Sequence, residues 1–132
     1  QDACDAVAAD INARHGDGTA LAIAASISDK AALERLVAET QAQFGPVTAL
    51  VCNAASNPYY GPSLDISDDA FRKILDNNIL SNHWLIQLCA PDMIAAKSGS
   101  VTIISSIGGL KGSPILGAYC ISKAADMQLA RN

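Results

Sequence analysis

Three observations predict an α/β fold built on a parallel sheet. Helical and β-rich stretches alternate along the 132 residues. Residues 47–52 carry apolar side chains on both faces, the pattern of a strand inside a parallel sheet that helices cover on either side. No repeat, linker or low-complexity stretch interrupts the alternation, so the chain reads as part of one domain, 1–132.

The elements follow in order. Ala3, Val7 and Ile11 recur at a spacing of four ahead of Gly16, which predicts an amphipathic helix over 2–15 with its cap. Residues 19–25 alternate around Leu21 and Ile23 and predict a short strand. Ser28 and Asp29 open a second helix, whose Leu33, Leu36, Val37, Thr40 and Phe44 trace one inward face until Gly45 and Pro46 stop it. After the strand at 47–52 comes a loop, 52–62, rich in small and turn residues. It leaves the C-terminal end of a strand, where open α/β sheets bind ligands. Ser67 then caps a long helix with Asp68 and Asp69 in its first turn. Phe71, Ile74, Leu75 and Leu85 mark its inward stripe, and Pro91 is expected to bend or end it. Asn78 falls on that stripe. A buried polar side chain costs roughly 1–3 kcal/mol unless it is paired, so this asparagine has a structural partner or a job.

The chemistry concentrates near the C-terminus. The β-branched run 100–106 ends in a serine pair, a Gly-rich loop follows, and a helix opens at Gly117. On that helix Tyr119 and Lys123 stand at i and i+4, on one face. A phenol titrates near ~10, and an ammonium within ~4–6 Å favours its phenolate, which fits a tyrosine for proton transfer at neutral pH. Taken singly, a Tyr-x-x-x-Lys can be a solvated helix pair and a terminal serine pair can belong to a turn. Their joint order is the informative feature.

That order resembles the short-chain dehydrogenase/reductase family, in which a serine precedes Tyr-x-x-x-Lys by thirteen residues, as Ser106 precedes Tyr119. Residues 50–55, Leu-Val-Cys-Asn-Ala-Ala, are similar to the family's Asn-Asn-Ala-Gly motif, with Cys52 and Ala55 in place of its first and last residues. Residues 76–80 are similar to the segment that carries the family's fourth catalytic residue. The resemblance implies a Rossmann-like, doubly wound parallel sheet of order 3-2-1-4-5-6-7, in which 19–25, 47–52 and 101–105 would be strands 3, 4 and 5. Strands 1, 2, 6 and 7 and the Gly-rich pyrophosphate turn have no counterpart in these residues. Strands 4 and 5 should then pair in parallel, and strand 3 should not touch strand 4.

The roles that the resemblance implies are Tyr119 as general acid/base, Lys123 as its charged neighbour and a binder of the cofactor ribose, Ser106 at the substrate oxygen, and Asn78 in a proton relay. Cofactor contacts fall to Asn53, Ala54, Ala55, Tyr119 and Lys123, with Ser26 and Ile27 at the adenine, where many members carry an aspartate in the place of Ser26. The implied cofactor is NAD or NADP, the substrate a small carbonyl or alcohol, and the assembly a homodimer or homotetramer. The loop 53–61 looks most like the carbonyl and retinal reductase branch. Two other classes fit parts of the pattern: a catalytically silent binding or assembly module of the same fold, and a nucleotide-sugar epimerase or dehydratase, against which residues 52–55 speak.

Composition narrows the classes further. A net charge of −4 and the lack of a basic run speak against nucleic acid as a partner, and the apolar stretches are too short for a membrane span. Residues 1–5 do not resemble a secretion signal, so a cytoplasmic protein is expected. The four cysteines lie far apart and neither His15 nor His83 has metal-like spacing to them, so no metal site is predicted.

Overall fold

The computed structural model describes residues 2–132. Its elements run α1 (Asp2–His15), α2 (Lys30–Phe44), β1 (Ala49–Cys52), α3 (Asp68–Leu75), a π-helical turn (Asp76–Leu80), α4 (Ser81–Ala96), β2 (Ser100–Ile103), a 3-10 turn (Ile107–Gly109) and α5 (Gly117–Arg131). The two strands pair in parallel with Ala49 opposite Ser100 and Cys52 opposite Ile103, as expected of the fourth and fifth strands. Such a pair needs a crossover, and α3 through α4 supplies it.

The core lies between one face of this sheet and helices α2 and α4. Leu33 and Val37 of α2 meet Leu85, Cys89 and Met93 of α4 over Cys52, with Leu50 and Ile103 packed at the edge. The other sheet face is open among the described residues, with Val51 60% exposed, so the expectation of cover on both sides of 47–52 is corrected to cover on one. Residues 19–25 form no strand either. A strand is defined by its ladder, and no described segment lies alongside to make one. Instead Asn12 of α1 bonds both backbone groups of Ala20, donating to its carbonyl at 3.0 Å and accepting from its amide at 2.8 Å. The carbonyl of Ala24 accepts from Arg35.

Helix boundaries follow local chemistry closely. Asp29 caps α2 by accepting from the amides of Ala31 and Ala32, and Ser67 caps α3 by accepting from Ala70. Gly45 ends α2 at φ +81°, a conformation that only glycine adopts cheaply. Two expectations of burial fail here. α1 buries none of its residues, because no described element covers its apolar stripe. Phe44 points outward from the last turn of α2. Of the two outcomes expected at Pro91, an end is not found: the helix continues to Ala96, with Cys89 and Met93 on either side anchored in the core.

Candidate active site

The carboxyl ends of β1 and β2 point toward one region, and three elements converge on it: the loop after β1, the π turn, and α5. Loop residues Asn53, Ala54 and Ala55 are exposed. Ala55, Ser56, Asn57, Tyr60, Leu116 and Tyr119 line a cleft of about 320 Å³. A second, of about 270 Å³, has Ser106 and Tyr119 on its walls. Tyr119 therefore lines both clefts, and Ser106 shares one of them.

The two serines that end the strand run have different fates. Ser105 donates to the carbonyl of Lys123 at 2.8 Å and is thereby committed to docking α5. Ser106 accepts from the amide of Gly108 at 3.1 Å, capping the 3-10 turn, and its hydroxyl hydrogen remains to be given. Gly109 lets that turn come close: a Cβ there would sit 2.8 Å from the backbone of Lys123. Sequence spacing puts Tyr119 and Lys123 on one face of α5, and the ammonium lies 5.9 Å from the centre of the tyrosine ring. Lys123 is only 3% exposed. Its ammonium donates to the carbonyl of Ile104 at 2.8 Å and to Asp126 Oδ2 at 2.9 Å.

Asn78 is fully buried and faces α5. Its Nδ2 donates to Ser122 Oγ and to the carbonyl of Ser56, both at 3.0 Å, and its Oδ1 accepts from the amide of Ser56 at 2.8 Å. The π turn explains how two consecutive asparagines serve one loop: with a wider turn than an α-helix, Asn77 also reaches Ser56, donating to Oγ at 2.9 Å. Ser26 and Ile27 lie apart from this cluster in sequence and contact. Ser26 is exposed and shares a hydrogen bond with Ser28, while Ile27 packs at the core edge.

Sequence reasoning missed Asp126, Asn82 and Ser122, all buried. Asn82 donates to Asp126 Oδ1 at 2.9 Å and to the carbonyl of Asn78 at 2.8 Å, and Ser122 donates to the carbonyl of Tyr119 at 2.7 Å. The signal was available, because Tyr119, Lys123 and Asp126 recur at i, i+4 and i+7 and an acid on an inward helix face is rare. On β1, Cys52 has its thiol pushed up to about 11, first by burial, then by the charge of Asp126 and by Cys89.

With this geometry in hand, comparison with known proteins gives a consistent answer. Residues 1–132 match the short chain dehydrogenase family throughout, and the chain belongs to that family. It is 37% identical over 99 residues to dehydrogenase/reductase SDR family member 4 of Bos taurus, covering 75% of this chain and 36% of that protein. The human protein of the same name is 36% identical over 98 residues. Among solved structures, levodione reductase superposes with a TM-score of 0.89 at 25% identity, over 97% of this chain and 50% of that one. A short-chain dehydrogenase from Streptomyces avermitilis gives 0.82 at 27% identity, over 97% and 46%. The fold is thus the Rossmann-like α/β fold of these enzymes. The chain spans about a third of the length of the curated relatives it matches. No helix among the described residues is long and apolar enough to cross a membrane.

Proposed function

We propose that the intact protein is an NAD(P)-dependent oxidoreductase that interconverts a small carbonyl compound and its alcohol. The observation that carries this reading is the face of α5 on which Lys123 lies 5.9 Å from the ring of Tyr119, with Ser106 on the wall of a cleft that Tyr119 also lines. The residues present fit the nicotinamide-ribose half of a dinucleotide. Asn53, Ala54 and Ala55 are exposed at the carboxyl end of the sheet, Ala55 and Tyr119 line one cleft, and two protein acceptors leave one of the three ammonium donors of Lys123 for a ribose hydroxyl.

When bound, the nicotinamide supplies or accepts the hydride. In reduction, Ser106 donates its remaining hydrogen to the carbonyl oxygen and holds it beside Tyr119, whose hydroxyl gives that oxygen its proton as the adjacent carbon becomes saturated. Oxidation runs the same proton in reverse. Lys123 places a positive charge beside the phenolate that forms. Asn78 takes the relay role through its main-chain carbonyl oxygen, whose second lone pair remains beside the bond it accepts from Asn82, since its side chain is committed to Ser56 and Ser122. Ser26 and Ile27 stand at the adenine end of this reading, and self-association through α4 and α5 belongs to it. The test is to assay the intact enzyme with NADH and NADPH against a panel of small ketones and aldehydes. Cofactor oxidation that depends on the carbonyl supports the reading. Its absence with every pair overturns it.

A further inference from the structure

We propose that Asp126 is a positioning residue for the tyrosine–lysine pair: its buried carboxylate fixes the ammonium of Lys123 beside Tyr119, and Asn82 fixes the carboxylate. The proposal rests on the reading of Tyr119 and Lys123 given above and extends it by two residues.

The geometry is fully connected. Asp126 is 0% exposed and both its oxygens are engaged, Oδ2 by Lys123 at 2.9 Å and Oδ1 by Asn82 at 2.9 Å. The amide of Asn82 also bonds the carbonyl of Asn78 at 2.8 Å. A chain of hydrogen bonds therefore runs from the π turn through Asn82 and Asp126 to the lysine, and each link is buried. Together with the carbonyl of Ile104, Asp126 takes two of the three ammonium donors, which leaves the cation one direction in which to act.

Stability alone does not account for this arrangement. Two charges taken out of water lose hydration that their attraction barely returns, and an apolar pair of the same volume would hold the two turns of α5 at least as well. A fixed ammonium is what proton transfer needs. A side chain with four rotatable bonds reaches many positions, and a misplacement of about 1 Å can cost on the order of 10²-fold in rate. The carboxylate and the Ile104 carbonyl reduce those positions to one.

The experiment uses the intact enzyme and four variants: Asp126→Asn, Lys123→Met, the two combined, and Asn82→Ala, which leaves both charges in place. Turnover and cofactor KM are measured at a temperature at which each variant is folded by circular dichroism. Asp126→Asn is expected to lose ~10-fold or more in kcat or cofactor affinity, and to lose nothing further in the Lys123→Met background, because it acts through that lysine. Asn82→Ala is expected to shift the same parameters in the same direction by a smaller factor, and it carries the test if Asp126→Asn does not fold. The thermal midpoint of the double variant should exceed that of either single one, since each single change strands a buried charge. A folded Asp126→Asn or Asn82→Ala enzyme with unchanged kcat and cofactor KM overturns the proposal, as does a further loss in the Lys123→Met background. Tyr119→Phe, measured alongside, separates the two readings. If it is inactive while Asp126→Asn is normal, only the positioning role falls; if it is fully active, the catalytic assignment falls and takes the positioning role with it.

Discussion

Asn78 holds Ser56 as a neighbouring strand would, accepting from its amide at 2.8 Å and donating to its carbonyl at 3.0 Å. The loop that leaves β1 is thereby pinned to the π turn at one residue, and the next residue, Asn57, lines the cleft beside Tyr119. Replacing Asn78 by Ala strands the Ser56 backbone and takes a donor from Ser122, which keeps its bond to the carbonyl of Tyr119. Leaving one buried polar group unpaired costs about 1–3 kcal/mol, so we expect a loss of about 2 kcal/mol or more in urea unfolding. Because the loop forms a wall of the cleft, the KM for substrate should rise as well. A variant with wild-type stability would show that the clasp is replaced by water.

Tyr119→Phe removes a phenol from a residue that shares a cleft wall with Ser106. Its turnover should fall by at least ~10²-fold, the usual reach of a general acid–base group, with cofactor affinity nearly unchanged. Lys123→Met should damage both, because in the proposed reading that residue serves the tyrosine and the ribose. Steady-state kinetics and cofactor titration of the two variants check the pair of outcomes, and near-normal turnover in Tyr119→Phe would remove the assignment.

The serine pair gives a sharper test, since its members are adjacent and chemically identical. Ser105 is spent on the carbonyl of Lys123, whereas Ser106 keeps a hydrogen to donate. Ser105→Ala should therefore cost about 1 kcal/mol of stability. Ser106→Ala should lower kcat by ~10-fold or more at little cost in stability. If the two variants exchange these phenotypes, the substrate oxygen is held by the other serine.

What was legible in the sequence was local. Period and caps gave α2 and α3, since Asp29, Ser67 and Gly45 act on groups within a few residues, while the parallel pair came from the apolar run 47–52 and the family resemblance. Failures came where a residue's fate depends on a distant neighbour. The alternation at 19–25 predicts a strand only if a partner lies alongside, and the double apolar face of 47–52 predicts cover on both sides only if a second layer is present. At the site, the i, i+4 spacing placed Tyr119 and Lys123 correctly, and the polar interruption at Asn78 correctly signalled a buried residue. The inward turn of Asp126 onto Lys123 could have been read from the same period, whereas the joining of Asn82 to Asp126 and of Ser122 to Asn78 follows from the packing of α5 against the π turn, which no single helix period contains.

The cysteines differ enough in burial to be told apart by chemistry. Cys4 is exposed on α1, while Cys52, Cys89 and Cys120 are buried. The thiolate is the reactive form, and burial pushes the thiols of Cys52 and Cys89 up. Brief alkylation of the folded protein at pH 8 followed by peptide mapping should label Cys4 first. Early labelling of Cys89 would mean that the α2–α4 seam opens in solution.

Cys52 also makes a prediction about pH, and its sign can be worked out. In the folded protein its thiol ionises near 11, well above the ordinary thiol value of about 9, chiefly because the thiolate would be buried. Between those two values the unfolded chain has released the proton and the folded chain retains it, so the unfolded state binds fewer protons and stability falls as pH rises. The contribution is fully present below about 9 and is lost as pH approaches about 11. Unfolding free energies measured by denaturant at pH 8, 9, 10 and 11 should decline across that window. Other alkaline groups contribute to the same decline, so the measurement to make is the difference from Cys52→Ala. The variant should start less stable at pH 8, because a buried side chain next to Leu50 and Cys89 is truncated, and the gap between the two proteins should narrow toward pH 11. A gap that stays constant across the window would mean that the Cys52 thiol ionises alike in the folded and unfolded chains.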